Sequence, residues 1–316
     1  MARISLVMTV LNEKQTIVPL LASIAEQTVQ PDEVIIVDGG STDGTVALIE
    51  SFSQGSSPIR LIVAPGNNRS QGRNLACEAA EGEIIAVTDG GVRLHPEWLA
   101  RITRPLVTDP AADVVSGYYV NEAASLFERC VGAFTRWSAA ELDDTFLPSS
   151  RSLAMRKKAW QAAQGYPVQF RWNEDTVFDL KLLRSGARFV LAKDALVYHR
   201  PSSTLRGLYV QYLRFGRGDG QAGIRPLVYL VRYILPYLAG LALLLLGFWN
   251  PLSWALLAVL LIAYLGRTFL RAYRRWPDAR LFVLGLPILF TLDLAKVLGW
   301  TWGTLERLWH PEYRNW

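Results

Sequence analysis

After residue 226 the chain runs apolar three times: Leu227 to Trp249, Leu252 to Leu270 and Leu281 to Trp300. A bilayer core takes ~20 mostly apolar residues as helix, because other backbone conformations leave N–H and C=O groups unpaired in hydrocarbon. The first and third runs meet that length; the second does so if Arg267 snorkels to the boundary. Any one run alone reads equally as a buried core helix, but three in succession point to membrane insertion. The chain is therefore expected to divide into an aqueous domain over residues 1–220, including an interfacial helix at about 204–219, and a membrane domain over 227–316. Membrane helices are expected at about 227–249, 252–270 and 281–300.

Charge orients this arrangement. Arg200, Arg206, Arg214, Arg217, Arg225 and Arg232 precede or open the first run, and Arg267, Arg271, Arg274, Arg275 and Arg280 lead from the second to the third. Arginine-rich loops stay in the cytoplasm, so the first two runs form a hairpin with Asn250-Pro251 outside and the large domain on the cytoplasmic face of the inner membrane. The formal net charge of +5 then reflects membrane-proximal arginine, and no nucleic-acid surface is expected. Asp293 and Lys296 interrupt the third run and, three apart, are placed to face each other on one helix. Thr301 to Trp316 is amphipathic and rich in Trp, so the third run either crosses the bilayer or lies along it. Ile4 to Leu11 is too short for a secretory signal. Cys77 and Cys130 lack metal-site or disulfide spacing and read as packing residues.

The first domain alternates strands and helices. Ile4 to Leu11, Val34 to Val37 and Ile84 to Val87 are β-branched, wholly apolar runs, the pattern of strands buried on both faces in a parallel sheet. Segments with helical spacing separate them, as in βαβ units. The three runs stop at Asn12-Glu13, Asp38-Gly39-Gly40 and Asp89-Gly90-Gly91. One such acid is explained by turn capping. Three of them at successive carboxyl ends, where open α/β sheets bind ligands, favour a polar ligand site. There is no Gly-x-Gly-x-x-Gly after the first strand and no phosphate-loop lysine motif, so a nicotinamide oxidoreductase is a remote reading. Carboxylates suit ribose hydroxyls and base N–H groups, and Arg69 or Arg73 suits phosphates.

In their order, Val7 to Glu13 (VMTVLNE), Val34 to Thr45 (VIIVDGGSTDGT), Ser70 to Asn74 (SQGRN) and Val87 to Gly91 (VTDGG) resemble the opening motifs of family 2 glycosyltransferases. The resemblance covers about the first 220 residues and implies an α/β fold of the GT-A type: a Rossmann-like mixed sheet with helices on both faces. It implies that Thr9, Leu11, Glu13, Asp38, Arg73 and Asp89 line a nucleotide-sugar pocket. Asp89 would be the first acid of the Asp-x-Asp motif and a ligand for Mg2+ or Mn2+. Gly91 stands where that motif has its second acid. A diphosphate leaving group still needs positive charge, from a metal on Asp89 or in part from Arg93, which otherwise reads as an exposed loop arginine.

Trp172-Asn173-Glu174-Asp175 precedes a helix, where paired acids favour the helix dipole and cap free N–H groups. By the resemblance Asp175 is the base that deprotonates the incoming hydroxyl, Glu174 orients it, and the anomeric centre inverts. The loop holding Ser150 and Arg151 is similar to loops facing donor sugar and acceptor. Gln211-Tyr212-Leu213-Arg214-Phe215-Gly216-Arg217 resembles the acceptor segment of exopolysaccharide-assembly transferases; Gln211, Arg214, Phe215 and Arg217 are its candidate acceptor and phosphate residues, and an interfacial helix with basic anchors explains them equally. His199 reads as structural. The expected activity is transfer of a hexose from a nucleoside-diphosphate sugar to a polyprenyl-linked, membrane-bound acceptor in polysaccharide or envelope glycan assembly. Transfer to polyprenyl phosphate itself, processive synthesis and a catalytically silent nucleotide-sugar-binding scaffold are the alternatives.

Overall fold

The computed structural model of the chain describes residues 2–53, 58–143 and 145–316. Packing divides it into two compact units: Met1–Glu122 with Trp137–Arg200 and Trp316, and Ala123–Arg136 with Pro201–Asn315. The chain runs β1 (Ile4–Val10), α1 (Ile17–Ala25), β2 (Glu33–Asp38), α2 (Thr45–Ser53), β3 (Ile59–Val63), α3 (Arg69–Ala79), β4 (Ile84–Asp89) and β5 (Val92–Leu94). It continues with α4 (Trp98–Thr108), β6 (Val114–Asn121), α5 (Leu126–Thr135), β7 (Leu153–Arg156), α6 (Lys157–Ala162), α7 (Glu174–Arg184), β8 (Phe189–His199) and α8 (Leu205–Ala222). Three apolar helices follow, Pro226–Leu246, Pro251–Arg275 and Leu281–Trp309, each long and apolar enough to cross a membrane.

The first unit is built on one sheet with strand order β3-β2-β1-β4-β7-β6-β8-β5. The β3-β2-β1-β4 half is parallel, as the apolar runs predict. Beyond β4 the sheet becomes mixed: β7 is antiparallel to both β4 and β6, β6 is parallel to β8, and β5 is antiparallel to β8. Alternation along β1 sends Leu6 and Met8 into one core with Ile17, Leu20, Trp98 and Leu99, and Val7 into another with Cys77, Trp160 and Phe178. Strands apolar on both faces thus have helices to bury each face. Cys77 is a packing residue, as its sequence context suggests, and burial pushes its thiol up to about 12.

The second unit gathers α5, α8 and the apolar helices. Cys130 and Val131 on α5, Leu208 on α8, and Ala272, Leu281 and Ile288 on the second and third apolar helices form its core. α8 and the third apolar helix approach through glycines on both sides: a Cβ on Gly216 or Gly220 would overlap the carbonyl oxygen of Lys296 or Trp300, and one on Gly299 or Gly303 that of Leu213 or Arg217. Asp293 and Lys296 do not face each other. Asp293 accepts hydrogen bonds from the Tyr237 and Tyr264 hydroxyls, whereas Lys296 Nζ donates to the Tyr233 hydroxyl at 3.2 Å. In the detergent-purified protein, Gly303→Leu is expected to lower the thermal midpoint by about 5 °C, through roughly 2 kcal/mol of overpacking. An unmoved midpoint would mean that the two backbones are not in contact.

Candidate active site

Strand register sets up the site. β1 pairs with β2 and β4 so that Thr9 stands between Val37 and Asp89, and Val10 beside Asp38. Beyond these ends the first two loops lock together. The Asn12 amide donates to Ser41 Oγ at 2.8 Å, the Glu13 amide to Thr45 Oγ1 at 2.9 Å, and the Lys14 amide to Asp43 Oδ2 at 3.0 Å. Asn12 and Asn173 take left-handed backbone conformations (φ 56 and 55) immediately before Glu13 and before Glu174-Asp175. Such conformations cost energy in a non-glycine residue and here aim the acids that follow.

A cavity of about 590 Å³ opens at these strand ends, walled in part by Thr9, Leu11, Glu13, Asp89 and Arg151 of the expected residues. Arg69, Arg171, Trp172 and His199 also line it. Arg171 was not anticipated, Trp172 was noted only as part of the segment leading into the acid pair, and His199, read as structural, faces the cavity. Burial and the nearby Arg151 push the His199 imidazole down to about 3, so it is neutral at physiological pH.

Beneath the cavity lies Arg73, 1% exposed. Its Nη2 is 2.7 Å from Asp89 Oδ1, its Nη1 is 2.9 Å from Glu174 Oε1, and its guanidinium lies 5.2 Å from the centroid of the Tyr166 ring. Arg73 therefore holds the two acids and is not among the cavity-lining residues. Glu174 is itself 2% exposed and also receives Arg69 at 3.4 Å. Asp89 Oδ2 meets Arg151 Nε at 3.7 Å. Burial works against the Asp89 charge, but Arg73 and then Arg151 outweigh it and bring the carboxyl down to about 2.

The remaining expected residues fall in several places. Asp38 is fully buried; its Oδ1 accepts from the Gly40 and Ser41 amides at 2.8 Å each, and its Oδ2 is buried without a partner. Asp175, half-buried at the start of α7, accepts from the Thr176 amide at 2.8 Å. Ser150 is buried against the Tyr166 hydroxyl at 3.1 Å. Arg93 is on β5, paired with Glu122 at 2.6 Å and stacked 4.1 Å from the Tyr198 ring centroid, and does not line the cavity. The cavity's cations are instead Arg69, Arg151 and Arg171. Gln211, Arg214, Phe215 and Arg217 lie on α8 in the second unit. There Gln211 accepts from Ser202 at 2.7 Å, Phe215 packs on Tyr212, and Arg217 is clamped bidentately by Glu306. Asp179, one turn past Asp175, was not anticipated: it is 1% exposed, its Oδ2 has no partner, and burial raises its pKa well above the carboxylate range.

Gly91 leaves a gap beside Asp89, and Glu13 faces it: a Cβ built on Gly91 would stand 3.7 and 3.9 Å from the Glu13 carboxylate oxygens. Among the described residues no group of three or more His, Cys, Asp or Glu forms a metal cage. Glu13 at this gap and Asp89 two residues before it, both lining the cavity, are the carboxylates that fit a hard divalent cation whose other ligands would be phosphate oxygens.

The model of glycosyl transferase family 2 matches residues 5–168, more than half of the 316-residue chain, and spans every strand end that builds this cavity except that of β8. The chain belongs to glycosyl transferase family 2. Over 225 residues this transferase is 25% identical to the glycosyltransferase AglE of Haloferax volcanii, covering 69% of the chain and 73% of that protein. It is 26% identical to the succinoglycan biosynthesis protein ExoA of Rhizobium meliloti over 208 residues, 58% of the chain and 59% of ExoA. The solved mannosyltransferase PcManGT of Pyrobaculum calidifontis, in complex with GDP-Man and Mn2+, superimposes with a TM-score of 0.62 at 20% identity, covering 98% of this chain and 87% of that one. That likeness establishes the GT-A fold.

The Asp89 shift fixes a pH signature. A depressed carboxylate pKa stabilises the fold above the unfolded value of 3.8, and the contribution fades as pH falls to about 2. Arg73→Met leaves buried Glu174 and the partly exposed Asp89 without their shared cation and is expected to cost about 3 kcal/mol at pH 7. Thermal midpoints of wild type and variant should converge on acidification from pH 4 to pH 2, and a gap constant with pH would remove the ion pairs from the account.

Proposed function

We propose that the transferase moves a hexose from a nucleoside-diphosphate sugar, with inversion, to a lipid-linked acceptor at the cytoplasmic face of the inner membrane. The observation that carries this reading is the Asp89–Arg73–Glu174 bridge, which fastens the acid at the end of β4 to the acid pair that opens α7. In this reading Asp89 serves the donor side and the acid pair the acceptor side, and the bridge keeps the two at a fixed separation.

Thr9, Leu11 and Glu13 bind the donor along the end of β1, with Asp38 behind the wall holding the Gly40 and Ser41 amides of the loop that follows β2. Asp89 and Glu13 would hold Mg2+ or Mn2+, the latter being the ion bound with GDP-Man by PcManGT. Such a cation neutralises charge on the diphosphate. Arg151, Arg69 and Arg171 stabilise the same oxygens as the leaving group departs. Asp175 takes the proton from the acceptor hydroxyl, whose oxygen bonds to the anomeric carbon while the bond to diphosphate breaks on the opposite face. Glu174, neutralised by Arg73 and Arg69, keeps the start of α7 in place.

Three long apolar helices support a membrane-bound acceptor, since confinement to the bilayer raises its concentration at the enzyme. Arginines at the hairpin's connecting ends support the cytoplasmic orientation. The named role of ExoA in succinoglycan biosynthesis supports polysaccharide assembly as the setting.

The test is a screen of nucleotide sugars in native lipid extract with product mass as readout, comparing wild type with Asp175→Asn and Asp38→Ala. Asp175→Asn should keep donor affinity and lose transfer about a thousandfold or more; near-normal turnover would strip Asp175 of the base role. For Asp38→Ala the expected change is weaker nucleotide binding, and unaltered affinity would leave it a loop cap only.

A further inference from the structure

The second unit carries a cation that the proposed transfer chemistry leaves unused. Lys296 lies in the apolar part of the third long helix. Its Nζ donates to the Tyr233 hydroxyl at 3.2 Å and sits 5.1 and 5.4 Å from the ring centroids of Tyr212 and Tyr233. Among the described residues no carboxylate pairs with it, because Asp293, one turn earlier, is engaged by Tyr237 and Tyr264. A lysine in an apolar helix without a counter-ion is costly, and such residues mark sites for charged ligands.

Its depth follows from the hairpin. Tyr233 to Trp249 and Leu252 to Gly266 are free of charge and amount to about 25 and about 23 Å of helix at 1.5 Å per residue, so Arg232 and Arg267 mark one membrane boundary on both helices. The third helix meets the hairpin at that level. Gly285 abuts Phe269, Asp293 bonds Tyr237 and Tyr264, Lys296 bonds Tyr233, and Trp300 stacks on Tyr229 at 5.2 Å. Each hairpin residue in this series lies within about a turn and a half of Arg232 or Arg267. Lys296 thus stands at the level of lipid phosphates. Arg232, exposed and 5.4 Å from the Tyr233 ring centroid, supplies a second cation beside it.

We propose that Lys296, cupped by Tyr212 and Tyr233 with Arg232 adjacent, binds the phosphate of a membrane lipid, and that in the working enzyme this is the phosphate of the lipid-linked acceptor. An ammonium with three donors, one of them given to a tyrosine hydroxyl, has two left for phosphate oxygens. The acceptor assignment rests on the transferase reading; the lipid-phosphate site itself does not.

The experiment uses the full chain in phosphatidylcholine nanodiscs containing polyprenyl monophosphate, without nucleotide sugar, and measures retained lipid by native mass spectrometry. Lys296→Met should retain at least about tenfold less polyprenyl phosphate than wild type. Lys296→Arg, which keeps the charge, should stay within about threefold, and monodispersity of both variants reports folding. Equal retention in wild type and Lys296→Met overturns the site. Displacement by millimolar inorganic phosphate overturns the lipid assignment in favour of a soluble phosphate; resistance to it supports the lipid. Because no donor is present, a wild type that binds no nucleotide sugar in a separate titration would sink the transferase reading without moving this readout.

Discussion

A guanidinium taken wholly out of water costs several kcal/mol, and Arg73 is tolerable only because two carboxylates and an aromatic face meet it. Those partners come from distant parts of the chain: Arg73 from α3, Asp89 from the end of β4, Tyr166 from the loop before α7, and Glu174 from the first turn of α7. Tyr166 is fixed in turn by stacking on Phe178 at 3.8 Å between ring centroids. Losing Arg73 strands the buried Glu174 charge, and losing Glu174 leaves the buried guanidinium with Asp89 alone. The arrangement adds little net stability to the first unit, but it fixes where the strand ends and α7 stand relative to each other.

The same arrangement sets the electrostatics of the cavity. With Arg73 spent below the floor, Asp89 is ionised and half neutralised, and Arg69, Arg151 and Arg171 remain at the surface of the pocket. The cavity wall therefore carries three guanidinium groups. Gly91 fits this balance: a third acid beside Asp89 and Glu13 would add negative charge at the same end of the cavity. In the reading proposed above the cavity arginines supply part of the positive charge, whereas Arg93 is engaged by Glu122 and the Tyr198 ring.

The parallel half of the sheet was legible because each of its inner strands is apolar on both faces and stops at an acid, a pattern that leaves few other folds. Of the expected residues, Glu13, Asp89 and Arg151 line the cavity from strand ends and a polar loop, where their local pattern puts them, and Thr9 and Leu11, implied by the family resemblance, line it too. Arg73 was legible as a phosphate-type residue but not as a buried bridge, because both of its carboxylates come from elsewhere in the sequence. Arg171, Trp172, His199 and Asp179 carry no local signature of their own. Likewise α5 has an ordinary amphipathic pattern, and nothing local assigns it to the core it shares with Leu208, Ala272 and Leu281.

Whether the third apolar helix crosses a bilayer is a question that length and hydropathy leave open, and the partners of its polar residues bear on it. At 29 residues it is about 43 Å long, well beyond a ~30 Å hydrocarbon core. Upright, it would carry Asp293 and Lys296 near mid-membrane, at roughly 3 kcal/mol each on insertion scales. Its polar residues are each met by a neighbour: Asp293 has two tyrosine hydroxyls, Lys296 has the Tyr233 hydroxyl, and Glu306 clamps Arg217 of α8. The glycines that bring α8 onto this helix also put Arg217 within reach of Glu306, so the close approach of the two backbones and this ion pair support each other.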